Sequence, residues 1–387
     1  CFSLKFTKFV KNHPMIDSIT FSNYKLFKSQ QTLKIKPITV LIGKNNSGKS
    51  ALLKLPVIIS QSLKGEPLKW SYQLSNSNID TIQLGRAFRD LIYNKNETQS
   101  LYVKFEKENN TIEFSYLDKE GFLDLKKDNL QVNNFQAYKT LASIPNKEIF
   151  DFDVDYLAGI REEPEYDYVY NKEHYTNVGI KGQNTYPILI EDFIDSGQLL
   201  TKVSRWFEDN FEGWKLDIIK NEKQTVTDYE IVIKNSHINA INLKQTGQGI
   251  QQVLPLIVRS FLITTTSQLN IIEEPETHLH PAAHGNLAER FVESYNENTN
   301  IKYLIETHSE NFILRLRALI ANKKLEANNL VIYFVDYNQE KKECTLREIE
   351  IDELGNIKND DWPNGIFTES LDEISKIIDG QNSQDSL

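Results

Sequence analysis

The octapeptide GKNNSGKS, residues 43–50, stands between the apolar run ITVLI and the helix-forming stretch ALLKLPVIISQSLK. It fits G-x-x-x-x-G-K-[ST] at every fixed position, in a strand, loop, helix order that restricts the chain to an α/β phosphate-binding fold. Gly43 and Gly48 let backbone N–H groups turn inward around phosphate oxygens. Lys49 reaches the β and γ oxygens, and Ser50 offers a hydroxyl to Mg²⁺. The nucleotide-binding stretch therefore runs from Gly43 through Lys44, Asn45, Asn46, Ser47, Gly48, Lys49 and Ser50 to Ala51.

Two further apolar strands end in polar clusters. LNIIEEPETHLHP, residues 269–281, sets adjacent carboxylates at a strand tip, where mutual repulsion is costly unless a cation lies between them and a substrate. Glu273 is expected to hold hydrated Mg²⁺, and Glu274 to orient and deprotonate the attacking water. KYLIETHSENFI, residues 302–313, ends another apolar strand with Glu306, Thr307, His308 and Ser309, of which His308 can donate to a γ-phosphate; a plain polar cap is the alternative. All three clusters fall at strand C-terminal ends, where open α/β sheets bind ligands. The histidines of HLHPAAH, at 278, 280 and 284, would need a further ligand and defined geometry to hold zinc. NKNE at 94–97 imitates a guanine-specificity motif but ends in Glu where Asp is needed, so the nucleotide is read as ATP.

The 387 residues, 40% of them hydrophobic, suffice for two lobes. No apolar run approaches the roughly 18 residues that span a bilayer, so no membrane role is expected. Cys1 and Cys344 are too few for a disulfide framework, which suggests a reducing cytoplasm. Residues 1–69 hold twelve Lys and two acids, a balance of +10 that leaves −20 for the remainder. That asymmetry fits a lobe facing DNA or RNA equally with a solvated lysine-rich face. Met15 opens MIDSITFSNYKLF, so residues 1–14 are read as an extension ahead of the natural start. The segments expected are a lobe at 15–75 with the glycine loop, an antiparallel β subdomain with an inserted α/β region at 76–236, and a second lobe at 237–340. A C-terminal module with a disordered polar tail completes the chain at 341–387. Residues 101–127 alternate and turn at 108–110 and 119–121 like a meander. After residue 240, helix and apolar strand alternate as in a parallel sheet, with a helix from about Gln251 preceded by the side-chain-poor turn at Gly247 and Gly249.

Taken together these segments resemble the ABC-type ATPase heads of the SMC, RecF and overcoming-lysogenization-defect (OLD) group, and within it the OLD-like bacterial AAA-family ATPases without a fused nuclease. GKNNSGKS is similar to their Walker A loop, IIEEPETHLHP to Walker B and the D-loop, and IETHSE to the switch-histidine loop. YLAGIREEPEYDY (156–168) and DELGNIKNDDWPNGIF (352–367) also look like pieces of this subgroup. The resemblance implies a mixed, largely parallel sheet flanked by helices, and ATP with Mg²⁺ as cofactors. It implies that QTGQGIQQ is the signature motif, with Gly247 and Gly249 offering amides to a nucleotide, although Gln251 stands where relatives carry serine. Gln83 is nominated as the Q-loop residue, and Arg161 as a phosphate-facing, interface or surface ion-pairing arginine.

In such heads two protomers sandwich each ATP between Walker A of one and the signature of the other. A homodimer or higher even-numbered oligomer is therefore implied, with Lys49, Glu274 and His308 carrying hydrolysis. Only 52 residues follow NLVIYFV, too few for a Toprim nuclease, so a separate effector such as a nuclease in defence against phage is expected. A RecF-like repair ATPase, an ABC transporter subunit and a non-catalytic nucleotide sensor are the alternatives.

Overall fold

The structure, a computed structural model, describes residues 15–63, 71–73, 81–96, 98–108, 110–117, 122–127, 130–132, 150, 152–222, 227–358, 362–363, 367 and 374–378. The extension at 1–14, the turn at 119–121 and the polar tail at 380–387 lie outside the described residues.

The N-terminal third alternates in two-residue steps and pairs accordingly. Strands β1 (Ser18–Ser22) and β2 (Gln31–Lys34) lead to β3 (Ile38–Ile42), the glycine loop and helix α1 (Lys49–Leu63). After the small hairpin of β4 (Ser71–Gln73) and β5 (Thr81–Gln83) come β6 (Leu101–Lys107), β7 (Asn110–Leu117), β8 (Phe122–Lys127) and β9 (Leu130–Val132). These form the antiparallel sheet β2-β1-β6-β7-β8-β9. The 15–75 and 76–236 segments thus share one sheet through the pairing of β1 with β6.

Strand β10 (Asp153–Leu157) and the short β11 (Tyr168–Val169) precede helices α2 (Thr185–Asp195) and α3 (Gln198–Asn210). Then follow β12 (Lys215–Glu222), β13 (Thr227–Lys234), β14 (Ile241–Asn242) and helix α4 (Gln248–Phe261). The chain continues through β15 (Gln268–Glu273), α5 (Pro281–Glu297), β16 (Ile301–Glu306), α6 (Glu310–Ala321), β17 (Leu330–Asn338) and β18 (Glu343–Ile349). The central sheet runs β10-β15-β16-β3-β17-β18, parallel throughout except for the antiparallel edge strand β18.

A strand buried on both faces reads as a continuous apolar run, and ITVLI and LVIYFV do so for this reason. Ile38, Val40 and Ile42 of β3, with Leu330, Ile332 and Phe334 of β17, enter the core shared with α2 to α6. Leu41 of β3, with Val331, Tyr333 and Val335 of β17, enters the other core, against α1 and the antiparallel sheet. The mixed α/β head expected from sequence is the fold observed.

One boundary differs. Helix α4 begins at Gln248, not near Gln251, because Gly247 takes an extended conformation (φ −64°, ψ 146°) and caps the helix. Gly249 consequently lies inside the first helical turn. Neither glycine is in the left-handed region.

Candidate active site

The glycine loop owes its path to positions that only glycine fills. Gly43 has φ +150°, and a Cβ there would meet the Val335 carbonyl oxygen at 2.2 Å; Gly48 has φ +95° and lies against the Phe27 ring. The loop wraps the N-terminus of α1, where unpaired N–H groups and the helix dipole favour an anion. Ser47 Oγ is buried without a protein hydrogen-bond partner. Leu26, residues Asn46 to Ala51, Glu306 and Tyr337 line a cavity of about 550 Å³ around it. A buried, unpartnered hydroxyl at a helix N-terminus suits a phosphate oxygen.

Lys49, 3% exposed, donates from Nζ to the carbonyls of Gly43 (3.0 Å) and Lys44 (2.8 Å) and lies 3.6 Å from Glu306. Ser50 Oγ donates to Glu306 Oε2 at 3.0 Å. Burial outweighs the mutual attraction of the pair: it lowers Lys49 and raises the Glu306 carboxyl to about 7. Glu274, Glu306 and His308 each bring a ligand atom to within 4.8 Å of the others. Oxygen-rich donors beside a Walker serine fit a hard divalent cation such as Mg²⁺.

The register explains how they meet. Glu273 pairs with Glu306 across β15 and β16, and Glu306 with Leu41 of β3, so the three strand ends are level. Glu274 N donates to the Glu306 carbonyl at 2.8 Å, and Glu274 itself sits at φ +39° immediately before Pro275. His308 Nε2 lies 3.9 Å from Glu274 Oε1, and burial together with nearby Lys49 holds the imidazole below its usual value and hence neutral at pH 7. Glu276 accepts from Thr307 Oγ1 (2.8 Å) and from the His308 backbone N–H, tying the EEPET turn to the THS loop.

Several expected residues stand elsewhere. Glu273 does not face Ser50: its carboxylate accepts from the Tyr156 hydroxyl and from Gly159 N at 3.2 Å, and Glu306 takes the place beside Ser50. Glu306 carries a role that the sequence gives it no reason to have beyond ending an apolar strand directly before THS, and Glu276 has no such signal. Gln83 is exposed on β5, where its carbonyl accepts from Lys54 Nζ at 3.0 Å. Gly247 and Gly249 do not line the cavity around the glycine loop. Arg161 is no surface ion pair: it is 3% exposed and bonds to backbone carbonyls. Gln251, also buried, donates to the carbonyls of Leu243, Lys244 and Thr246 and so braces the approach to α4. His280 accepts from Ala282 N at the start of α5, and His284 meets Ser309 Oγ at 2.7 Å. Among the N-terminal lysines, Lys25, Lys34, Lys36, Lys49 and Lys54 all spend Nζ on acceptors within the chain.

The Glu306 shift predicts a pH signature. The folded chain holds this proton more tightly than the unfolded chain does, so the stability it contributes is complete below pH 4.5 and lost as pH rises through about 7. At 1.36 kcal/mol per pH unit the loss is roughly 3 kcal/mol. Glu306→Gln should flatten that decline in urea unfolding at pH 5 and pH 8 without nucleotide. An unchanged pH dependence would place the proton elsewhere.

A parallel sheet with a phosphate loop, a carboxylate tip and a histidine loop at its C-terminal edge is the arrangement of a P-loop nucleotide-binding fold. Among solved structures, an SMC head bound to the C-terminal winged-helix domain of ScpA matches with a TM-score of 0.53 and 13% identity, over 88% of this chain and 99% of that one. An SMC head with an extended coiled coil bound to the C-terminal domain of ScpA, derived from Pyrococcus furiosus, gives 0.50 and 11% over 95% and 99%. A Helicobacter pylori protein named "ATP/GTP phosphatase" is 22% identical over 355 residues, 80% of this chain and 89% of the relative. Residues 38–315 match the family described as "AAA domain, putative AbiEii toxin, Type IV TA system", and the chain belongs to that family.

Proposed function

We propose that this protein is an ATP-hydrolysing switch whose heads associate head to tail and control a separate effector, such as a nuclease, in bacterial defence against phage. The observation that carries the reading is an incomplete site. The glycine-flanked N-terminus of α4 has the free N–H groups that favour an anion and is exposed at Gly247 and Gln248, yet it is absent from the lining of the cavity that holds Lys49 and Ser50. A second copy can supply it.

Within one protomer the glycine loop and Lys49 bind the phosphates, and Ser50 with Glu306 would hold Mg²⁺, which would neutralise charge on the β and γ oxygens. Glu274 accepts the proton of the attacking water, and His308, neutral, donates toward the γ-phosphate. Loss of the bridging phosphate then loosens the dimer. The hydrolase name of the Helicobacter pylori relative supports the chemistry, the family's toxin–antitoxin description supports an effector-linked role, and the ScpA-bound SMC heads give precedent for a protein partner. Light scattering with and without ATP, alongside identification of the co-purifying protein, tests this: a nucleotide-dependent doubling of mass is expected. A chain that hydrolyses ATP as a monomer would overturn it.

A further inference from the structure

The tip of β10 approaches both the helix whose N-terminus is free and the turn that bears Glu274. Arg161, four residues beyond that tip, donates from Nη2 to the carbonyls of Glu273 (2.9 Å) and Glu274 (3.2 Å), and from Nη1 to the carbonyl of Gln252 in α4 (3.4 Å). The Gln252 side chain answers in both directions: its Oε1 accepts from Arg161 N and its Nε2 donates to Arg161 O, each at 3.1 Å. Five bonds thus join residue 161 to α4 and to the carboxylate turn, through two buried side chains.

The turn needs such support. A non-glycine residue at φ +39° is strained, and a following proline further disfavours a helical-type conformation there. Strain of this kind persists only where neighbours over-determine the backbone. Here Glu306 accepts from the N–H of Glu274 and Arg161 holds the carbonyls on either side of its Cα. At the same place the first turn of α4 abuts the D-loop, since a Cβ on Gly249 would meet the His278 carbonyl at 2.8 Å. The far end of α4 is fixed too, through Arg259 to Asp155 of β10 and Asn270 of β15.

We infer that Arg161 is a positioning residue which, with Gln252, makes the N-terminus of α4 and the Glu274 turn one body, so that a nucleotide bound at Gly247 and Gly249 sets the carboxylate of the same protomer. This rests on the two-protomer reading for its consequence, but the tie itself is a property of one chain. Each ATP site is then informed of the other through a single buried guanidinium.

Hydrogen exchange without nucleotide reads the tie directly. In Arg161→Met, exchange should rise together at 248–252 and 273–277 and stay unchanged in β3 and β16, with Arg161→Lys, which keeps the charge and a donor, intermediate. Turnover of ATP by Arg161→Met should fall about 10- to 100-fold with KM within about twofold. In a Glu274→Gln background the same change should alter residual turnover by less than about twofold, because the two act through one carboxylate. Exchange that rises at only one of the two segments, or everywhere, would overturn the inference, as would normal turnover in Arg161→Met. A chain with linked exchange but no ATP-dependent dimer would instead overturn the two-protomer reading and leave the tie standing.

Discussion

Glu274→Gln should lower ATP turnover by about 10²- to 10⁴-fold, the usual contribution of a positioned general base. Nucleotide binding should remain and an ATP-bound dimer should accumulate, visible by light scattering. The substitution keeps the size of the side chain and an oxygen for the Thr277 hydroxyl, which donates at 3.3 Å, so the turn itself has little reason to move. What is lost is the ability to take a proton. Glu274 suits that task better than its neighbours: its side chain remains 45% accessible, whereas Glu306 is buried against Lys49 and Ser50 and Glu273 is engaged by Tyr156 and Gly159. Turnover at the normal rate in Glu274→Gln would assign the base elsewhere and remove the reason to treat EE as a catalytic tip.

The sheet was legible because its strands are buried on both faces and therefore mostly apolar; ITVLI, LNII and IKYLI announce themselves. The glycine loop was legible because its geometry demands glycine at two fixed places, and Gly43 against Val335 shows how little latitude exists. Roles within the carboxylate cluster were less accessible. Sequence order suggests that the first Glu of EE faces the metal, but the side-chain direction at Glu273 is set by Tyr156 of β10 and Gly159 just beyond that strand, more than a hundred residues earlier. Glu306 gains its place from the pairing of β16 with β3, which brings it beside Ser50. The burial of Arg161 is hidden from the sequence for a related reason. Its flanking acids, Glu162 and Glu163, suggest an exposed charged loop, while its partners are carbonyls contributed by β15 and α4, which no local pattern reveals.

The glycine pair of QTGQGIQQ offers the sharpest separation of fold from assembly. Gly249 is already constrained within its own chain, since any side chain would press on the His278 carbonyl. A defect in Gly249→Asp would therefore mix a displaced D-loop with whatever happens at a partner's nucleotide. Gly247 is different: a Cβ there meets nothing within 4 Å, and its backbone conformation suits any residue. It is also the N-cap of α4, where Asp is among the preferred residues, so Gly247→Asp should leave the isolated chain as stable as before or more stable by a few tenths of a kcal/mol. Placed against the γ-phosphate of a neighbouring protomer, the same carboxylate would repel it and remove an amide-rich anion site. ATP binding to the glycine loop should survive, while turnover should fall on the order of 10²- to 10³-fold and the ATP-dependent dimer should vanish. Because nothing in the protomer resists this substitution, only a second chain can make it harmful. Full turnover in Gly247→Asp would mean that the α4 N-terminus never meets ATP, and the head-to-tail arrangement would fall with it.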